Sequence, residues 1–224
     1  MAPPLPSDPG LAAFGSSLTA ITLAELGDKT FFMALILAVR HSARLVFVGA
    51  FAALAAVTLL SLGVGYGLRE LLPQNLVPWI AAVLFFGFGL KLLVDAQALD
   101  AGATKEEADE AEEAVNAAEQ AQKQSGPWAV IWEAFALVFV AELGDRTQFA
   151  TILLATAPAQ VFSFAGLLAG TLAGHALVTW LAVGAGKWIG GRVNEQLLYR
   201  LSGGLFVAFG LVSLLQALGS VAGR

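Results

Sequence analysis

Long runs of apolar residues, each broken by few polar positions, dominate the chain. A helix needs roughly 20 mainly apolar residues to cross a bilayer. Six such runs occur, at about 11–39, 44–68, 77–99, 128–156, 161–187 and 196–218. The pattern therefore predicts an all-α integral membrane protein with six transmembrane helices. Between the third and fourth runs lies "DAGATKEEADEAEEAVNAAEQAQKQSGP", rich in Ala, Glu and Gln. It has almost no large apolar side chain to bury, so it reads as a solvated acidic linker, helical or not. Residues 1–99 and 128–224 are then two three-helix units joined by 100–127.

The two units repeat. Glu25 and Glu142 are 117 positions apart, as are Asp28 and Asp145, Phe47 and Phe164, and Gly49 and Gly166. "LFFGFGL" at Leu84 matches "LFVAFGL" at Leu205 with the offset grown to 121. An offset held through two spans is the mark of internal duplication. Three spans per unit make the second enter the membrane from the opposite side. The expectation is an inverted-topology repeat, which in transporters places the site near the midplane. Loop Lys and Arg set orientation. Arg40, Arg44, Lys105, Lys123, Lys187, Arg192 and Arg200 fall on one side, and Arg69 and Arg224 on the other. The linker is therefore expected in the cytoplasm and both termini outside.

Composition agrees with a membrane protein: 58% hydrophobic and 13% charged residues, with a mean hydropathy of +0.76. Soluble domains carry about 25% charged residues. The net charge of −5 comes mostly from the linker and excludes a nucleic-acid surface, which needs basic patches. There is no cysteine, hence no thiolate metal site. The N-terminal "MAPPLPSDPG" lacks a basic region, so no cleaved leader is expected.

Against this background two charged hexapeptides stand out within apolar runs: "ELGDKT" from Glu25 and "ELGDRT" from Glu142. A charge at mid-membrane costs ~2.5–3.5 kcal/mol on insertion scales. Six unpaired would cost on the order of 15–20 kcal/mol, more than the ~5–15 kcal/mol stability of a typical protein. They must be paired, hydrated or neutralised by a ligand. In a continuous helix, Glu25 would pair with Lys29 and Glu142 with Arg146 at i,i+4. Four carboxylates against two cations leave −2, which one divalent cation balances. Gly27 and Gly144 weaken the helix and can free backbone carbonyls, while Thr30 and Thr147 add hydroxyls. The set Glu25, Asp28, Thr30, Glu142, Asp145 and Thr147 is all-oxygen, suited to Mn²⁺, Ca²⁺ or Mg²⁺. A lone buried acid is commonly a structural ion pair; two matched sets at symmetric positions favour a ligand site. Gln148, opposite Phe31, and His175, opposite Thr58, are pathway candidates, and interhelical hydrogen bonding is the plainer role for His175. The glycines at 166, 170, 174, 63 and 67 read as close helix packing.

This doubled Glu-x-Gly-Asp-Lys/Arg-Thr pattern resembles the manganese/calcium–proton exchangers of the Golgi, chloroplast and bacterial plasma membrane. The likeness covers essentially the whole chain. It implies a secondary transporter exporting Mn²⁺ and/or Ca²⁺ from the cytoplasm in exchange for protons, with no prosthetic group. It implicates Glu25, Gly27, Asp28, Lys29 and Thr30, with Glu142, Gly144, Asp145, Arg146 and Thr147, and it implies a bacterial-type plasma membrane. Two other readings stay open: a passive divalent-cation channel, and an intramembrane metal-dependent lipid-phosphate hydrolase. No Ser/His pair lies beside either motif to serve the hydrolase.

Overall fold

The computed structural model describes residues 8–73, 75–100, 106–121, 126–156, 163–185 and 195–222. Among these the chain is helical throughout, with no strand. Lys105, Lys123, Lys187, Arg192 and Arg224, used above to orient the chain, lie outside the described residues.

The first apolar run forms two helices, α1 (Pro9–Glu25) and α2 (Lys29–Arg40), separated at the first hexapeptide. Asp8 caps α1 by accepting from the Gly10 N–H at 2.8 Å, and Pro9 supplies the first-turn proline. The second and third runs form α3 (Ala43–Leu71) and α4 (Val77–Asp100). The linker folds as α5 (Glu106–Ala121). The fourth run is again two helices, α6 (Pro127–Glu142) and α7 (Arg146–Thr156), bent by 69° at the second hexapeptide. α8 (Phe164–Ala185) and α9 (Glu195–Ala222) complete the chain.

Within the described residues, four helices have the length and apolarity of membrane spans: Ala43–Leu71, Val77–Gln97, Phe164–Gly184 and Tyr199–Gly219. The bent pair α6 and α7 makes a fifth if it counts as one span. The break explains why the first and fourth runs do not appear as unbroken helices. Large apolar side chains such as Val83, Trp132, Val140 and Trp180 are well exposed. Such a surface is poor against water and suits lipid.

Packing exchanges elements between the halves. α1 lies along α8, while α3 lies along α6 and α7. The third helices of the two halves, α4 and α9, pack on each other. One core gathers Phe31, Met33, Leu37, Val46, Leu54, Val138 and Val178 from α2, α3, α6 and α8. A smaller one joins Phe85 and Leu92 of α4 to Phe206 of α9.

The expected close packing holds for only part of the glycine series. A Cβ at Gly166 would collide with the Gly10 carbonyl, and one at Gly174 would press on Ile21. Gly63 and Gly67 face open space, so packing does not explain them. The close approaches on α3 are at Gly49, against the Ile131 carbonyl, and at Gly65, against the Ile152 carbonyl. The tightest contact between α1 and α8 is at Gly170, where a Cβ would meet the Ser17 hydroxyl and the Phe14 carbonyl. Gly170→Val is therefore expected to push the two helices apart, at a cost of about 1–3 kcal/mol. Gly63→Val should cost little. Melting curves of the detergent-solubilised variants check this, and equal losses at the two positions would contradict it.

The linker differs from the solvated tether read from its composition. Ala111 and Val115 are fully buried, and Ala108 and Ala114 are partly buried against α2 and its neighbours. The reason is geometric. Ala108, Ala111 and Val115 recur at spacings of three and four, which makes one narrow helical stripe. Small side chains let the α5 backbone come close to α2, so the stripe buries without bulky residues.

Candidate cation site at the two helix breaks

Each hexapeptide ends one helix and starts another. Gly27 has φ +80° and Gly144 has φ +90°. Those left-handed values cost glycine little and other residues much. The backbones match across the repeat. The Asp28 N–H reaches the Glu25 carbonyl at 3.2 Å, and the Asp145 N–H reaches the Glu142 carbonyl at 3.2 Å. The helix opening expected at the two glycines is thus what the chain does. Two helix C-termini (α1, α6) and two N-termini (α2, α7) are left free at the breaks, with carbonyls and N–H groups unclaimed by their own helices.

Because the helix is interrupted, the expected i,i+4 pairs do not form. Lys29 turns to Glu110 of α5, with Nζ–Oε2 at 2.8 Å. Arg146 crosses to the other half and binds Asp28. It also stands 3.9 Å from Glu107 of α5. Asp28 starts α2 but makes no capping bond, its carboxylate being held by Arg146. Asp145 does cap α7, accepting from the Thr147 N–H and hydroxyl, both at 3.0 Å. Equal sequence motifs therefore give two unequal aspartates.

The glutamates keep the symmetry. Glu25 and Glu142 are each 2% exposed. Thr30 donates to Glu25 Oε2 at 3.3 Å, and the Thr147 hydroxyl, whose shorter bond goes to Asp145, lies 3.4 Å from Glu142 Oε2. The other oxygen of each glutamate has no hydrogen-bond partner among the described residues. One carboxylate oxygen from each of Glu25, Asp28 and Glu142 lies within 4.8 Å of the other two. Oxygens on opposite sides of a calcium-sized ion, each at about 2.3–2.6 Å from it, are separated by about this distance. Of the six expected oxygen donors, three carboxylates converge directly. Thr30 and Thr147 stand behind the glutamates as hydroxyl donors, and the Asp145 carboxylate is engaged at the α7 start.

His175 is buried, with Nδ1 4.0 Å from Glu25 Oε1. It lines two small cavities. One also touches Glu25 and Thr30; the other touches Glu142, Thr147, Gln148 and Thr58. His175 thus stands between the halves of the site, on both walls at once. Gln148 accepts from the Gly144 N–H at 2.7 Å, bracing the second break.

Three residues near the site were not legible in the motifs. Glu107 and Glu110 come from the linker, and Tyr199 donates to Glu107 Oε1 at 3.1 Å. Burial pushes the Glu107 carboxyl above its ordinary range, while Arg146 and the Tyr199 hydrogen bond pull it back. The acid-rich composition of 106–113 was the only signal. It could not say that two of these acids would hold the cations of both motifs.

Sequence comparison bears on what such a site is for. A family model described as "Divalent cation/proton antiporter GDT1" matches residues 13–100 and 130–220. A GDT1-like protein of Synechocystis, sll0615, is 43% identical over 204 residues, covering 91% of this chain and 97% of that protein. The chloroplastic protein PAM71 of Arabidopsis thaliana is 40% identical over 218 residues, covering 92% of this chain. The chloroplastic GDT1-like protein 1 of Oryza sativa subsp. japonica is 36% identical over 226 residues, covering 92% of this chain. The chain spans 57% and 63% of the length of those two plant proteins, respectively. No solved structure matches the chain. With both halves matched and a relative aligned along nearly its whole length, the chain belongs to the divalent cation/proton antiporter GDT1 family.

Proposed function

We propose that the chain exports Mn²⁺ and/or Ca²⁺ from the cytoplasm in exchange for protons, through a site of four carboxylates contributed by both helix breaks. Membership of an antiporter family removes the hydrolase reading. The observation that carries the proposal is the convergence of Glu25, Asp28 and Glu142 from opposite halves, with an unpartnered oxygen on each glutamate. An all-carboxylate and hydroxyl donor set suits hard cations. In the six-span inverted arrangement proposed here, α1 with α2 and α6 with α7 are equivalent broken spans, and the breaks lie near the midplane. The termini are outside and α5 is in the cytoplasm.

The charge balance supports exchange. Within the two motifs, four acids at the breaks are balanced by Arg146, because Lys29 is engaged by Glu110. If all four acids ionise, the site carries a formal −3. One divalent cation leaves −1, and one proton removes that remainder. An empty, fully ionised site would hold net charge in a low dielectric, which is costly. The site therefore crosses the membrane only when loaded with cation or with protons, and that constraint couples the two flows.

In sealed proteoliposomes of the purified chain, adding Mn²⁺ or Ca²⁺ to one side should drive protons the opposite way. An imposed pH gradient should speed metal flux, and collapsing it should slow that flux. Metal uptake without proton counterflow and without pH dependence would establish a channel instead.

A further inference from the structure

A second cluster of donors lies away from the helix breaks. His41 caps the end of α2, Glu119 is on α5, and Glu133 is near the middle of α6. His41 Nε2 is 3.4 Å from Glu119 Oε1 and 3.8 Å from Glu133 Oε2. One donor atom from each of the three lies within 4.8 Å of the other two. We propose that His41, Glu119 and Glu133 bind a transition-metal divalent cation, and that this ion pins α5 to the bundle.

Glu133 carries the argument. It is 6% exposed, and neither of its carboxylate oxygens has a hydrogen-bond partner among the described residues. His41 Nε2 is shielded from solvent and also without one, although the His41 side chain as a whole is 29% exposed. A buried carboxylate is costly unless it is paired or coordinates a metal. A direct charge-assisted bond between His41 and either acid would measure about 2.7–2.9 Å. Both separations exceed that. They fall instead in the range spanned by two donors on one ion, each at about 2.0–2.2 Å from it.

Glu119 is held in a posture suited to this. Arg40 donates to its Oε2 at 2.6 Å and to Asn116 Oδ1 at 2.8 Å. That bridge leaves Oε1 facing His41. The arrangement repeats the logic of metal sites in which an outer partner orients a ligating group. A groove of about 540 Å³ between α2, α5 and α6 is lined by Glu133 and also by Lys29 of the first break.

The donor set also chooses the metal. An imidazole with two carboxylates suits Mn²⁺, Fe²⁺, Co²⁺ or Zn²⁺. Ca²⁺ favours oxygen alone. An ion here joins α2, α5 and α6 at one point, and α5 is the helix whose Glu110 and Glu107 face Lys29 and Arg146. Metal at the cluster thus steadies the helix that covers the two breaks.

The test uses Mn²⁺, the full chain with no affinity tag, and electron spin-echo spectroscopy, which reads nitrogen bound to the ion. The chain has two histidines, so His175→Ala leaves His41 as the sole imidazole. Its bound Mn²⁺ should show nitrogen coupling, and an equal concentration of Ca²⁺ should not displace it. Adding Glu133→Gln or His41→Ala should remove that coupling and weaken the nitrogen-coupled binding at least about tenfold. In a Glu25→Gln/Glu142→Gln chain the coupled ion should remain. Hydrogen exchange of α5 should slow with Mn²⁺ in the wild-type chain and not in His41→Ala. No nitrogen coupling in the His175→Ala chain, or coupling that survives His41→Ala in the wild-type background while His175→Ala abolishes it, would overturn the site. Displacement by equal Ca²⁺ would overturn the choice of metal.

Discussion

Glu25→Gln and Glu142→Gln should each lower cation transport by at least about 100-fold, equivalent to about 2.7 kcal/mol, and leave the protein folded. Glutamine keeps the shape of glutamate and can still accept from Thr30 or Thr147, so the packing around each break survives. What it loses, under the proposed exchange, is the negative charge that would face the cation and the oxygen that would take up a proton. A buried acid with an unpartnered oxygen contributes little to folding, so melting temperatures should hold or rise slightly. The double variant separates a shared site from two independent ones. If both glutamates hold the same ion, removing the second costs little beyond the first, because groups acting as a unit are not additive. Transport assays on the singles and the double in proteoliposomes decide this. Wild-type transport by either single variant would remove the shared site.

The two aspartates should part company in stability. From the motifs alone, Asp28→Asn and Asp145→Asn would be expected to behave alike, each losing transport in a folded protein. Asp28, however, pairs with Arg146 across the two halves, and both side chains are largely buried, at 8% and 14% exposure. Removing one member of a buried pair strands the other charge, a loss of about 3–5 kcal/mol. Glu107 at 3.9 Å from the guanidinium puts Asp28→Asn near the low end, about 3 kcal/mol, or a fall in melting temperature on the order of 10 °C. Asp28→Asn/Arg146→Gln, which removes both charges, should recover most of that loss without recovering transport. At Asp145 the side chain caps α7, and asparagine caps as well as aspartate. Asp145→Asn should therefore melt within about 1 kcal/mol of wild type. Equal destabilisation by the two substitutions would show that the cross-half ion pair does not matter to the fold.

Much of this protein is legible in one dimension because the bilayer restricts what a chain can be. Apolar run length determined the spanning helices, and four of the six runs appear as single long helices. The 117-residue offset of Glu25 and Glu142 determined that two equivalent segments would share one architecture. Gly27 and Gly144 marked where the first and fourth runs would open, since few residues other than glycine accept their backbone angles. Residue chemistry also determined the donor class, because both motifs offer only oxygen.

Partner choice was left to tertiary structure. Opposite charges four residues apart pair only if the helix between them continues, and here it stops. Arg146 was then free to cross to Asp28, and Lys29 to reach Glu110. A repeat in sequence says nothing about which copy of a charge meets which neighbour. The burial of α5 was equally hidden, because an alanine stripe has too little apolar area to declare a face until another helix lies against it. His41, Glu119 and Glu133 are scattered over 92 positions and three helices, and nothing in their spacing joins them. Local sequence determined where the chain bends and what each position can donate. Only the packing of distant helices decided which buried charge answers which, because that depends on distances no stretch of chain contains.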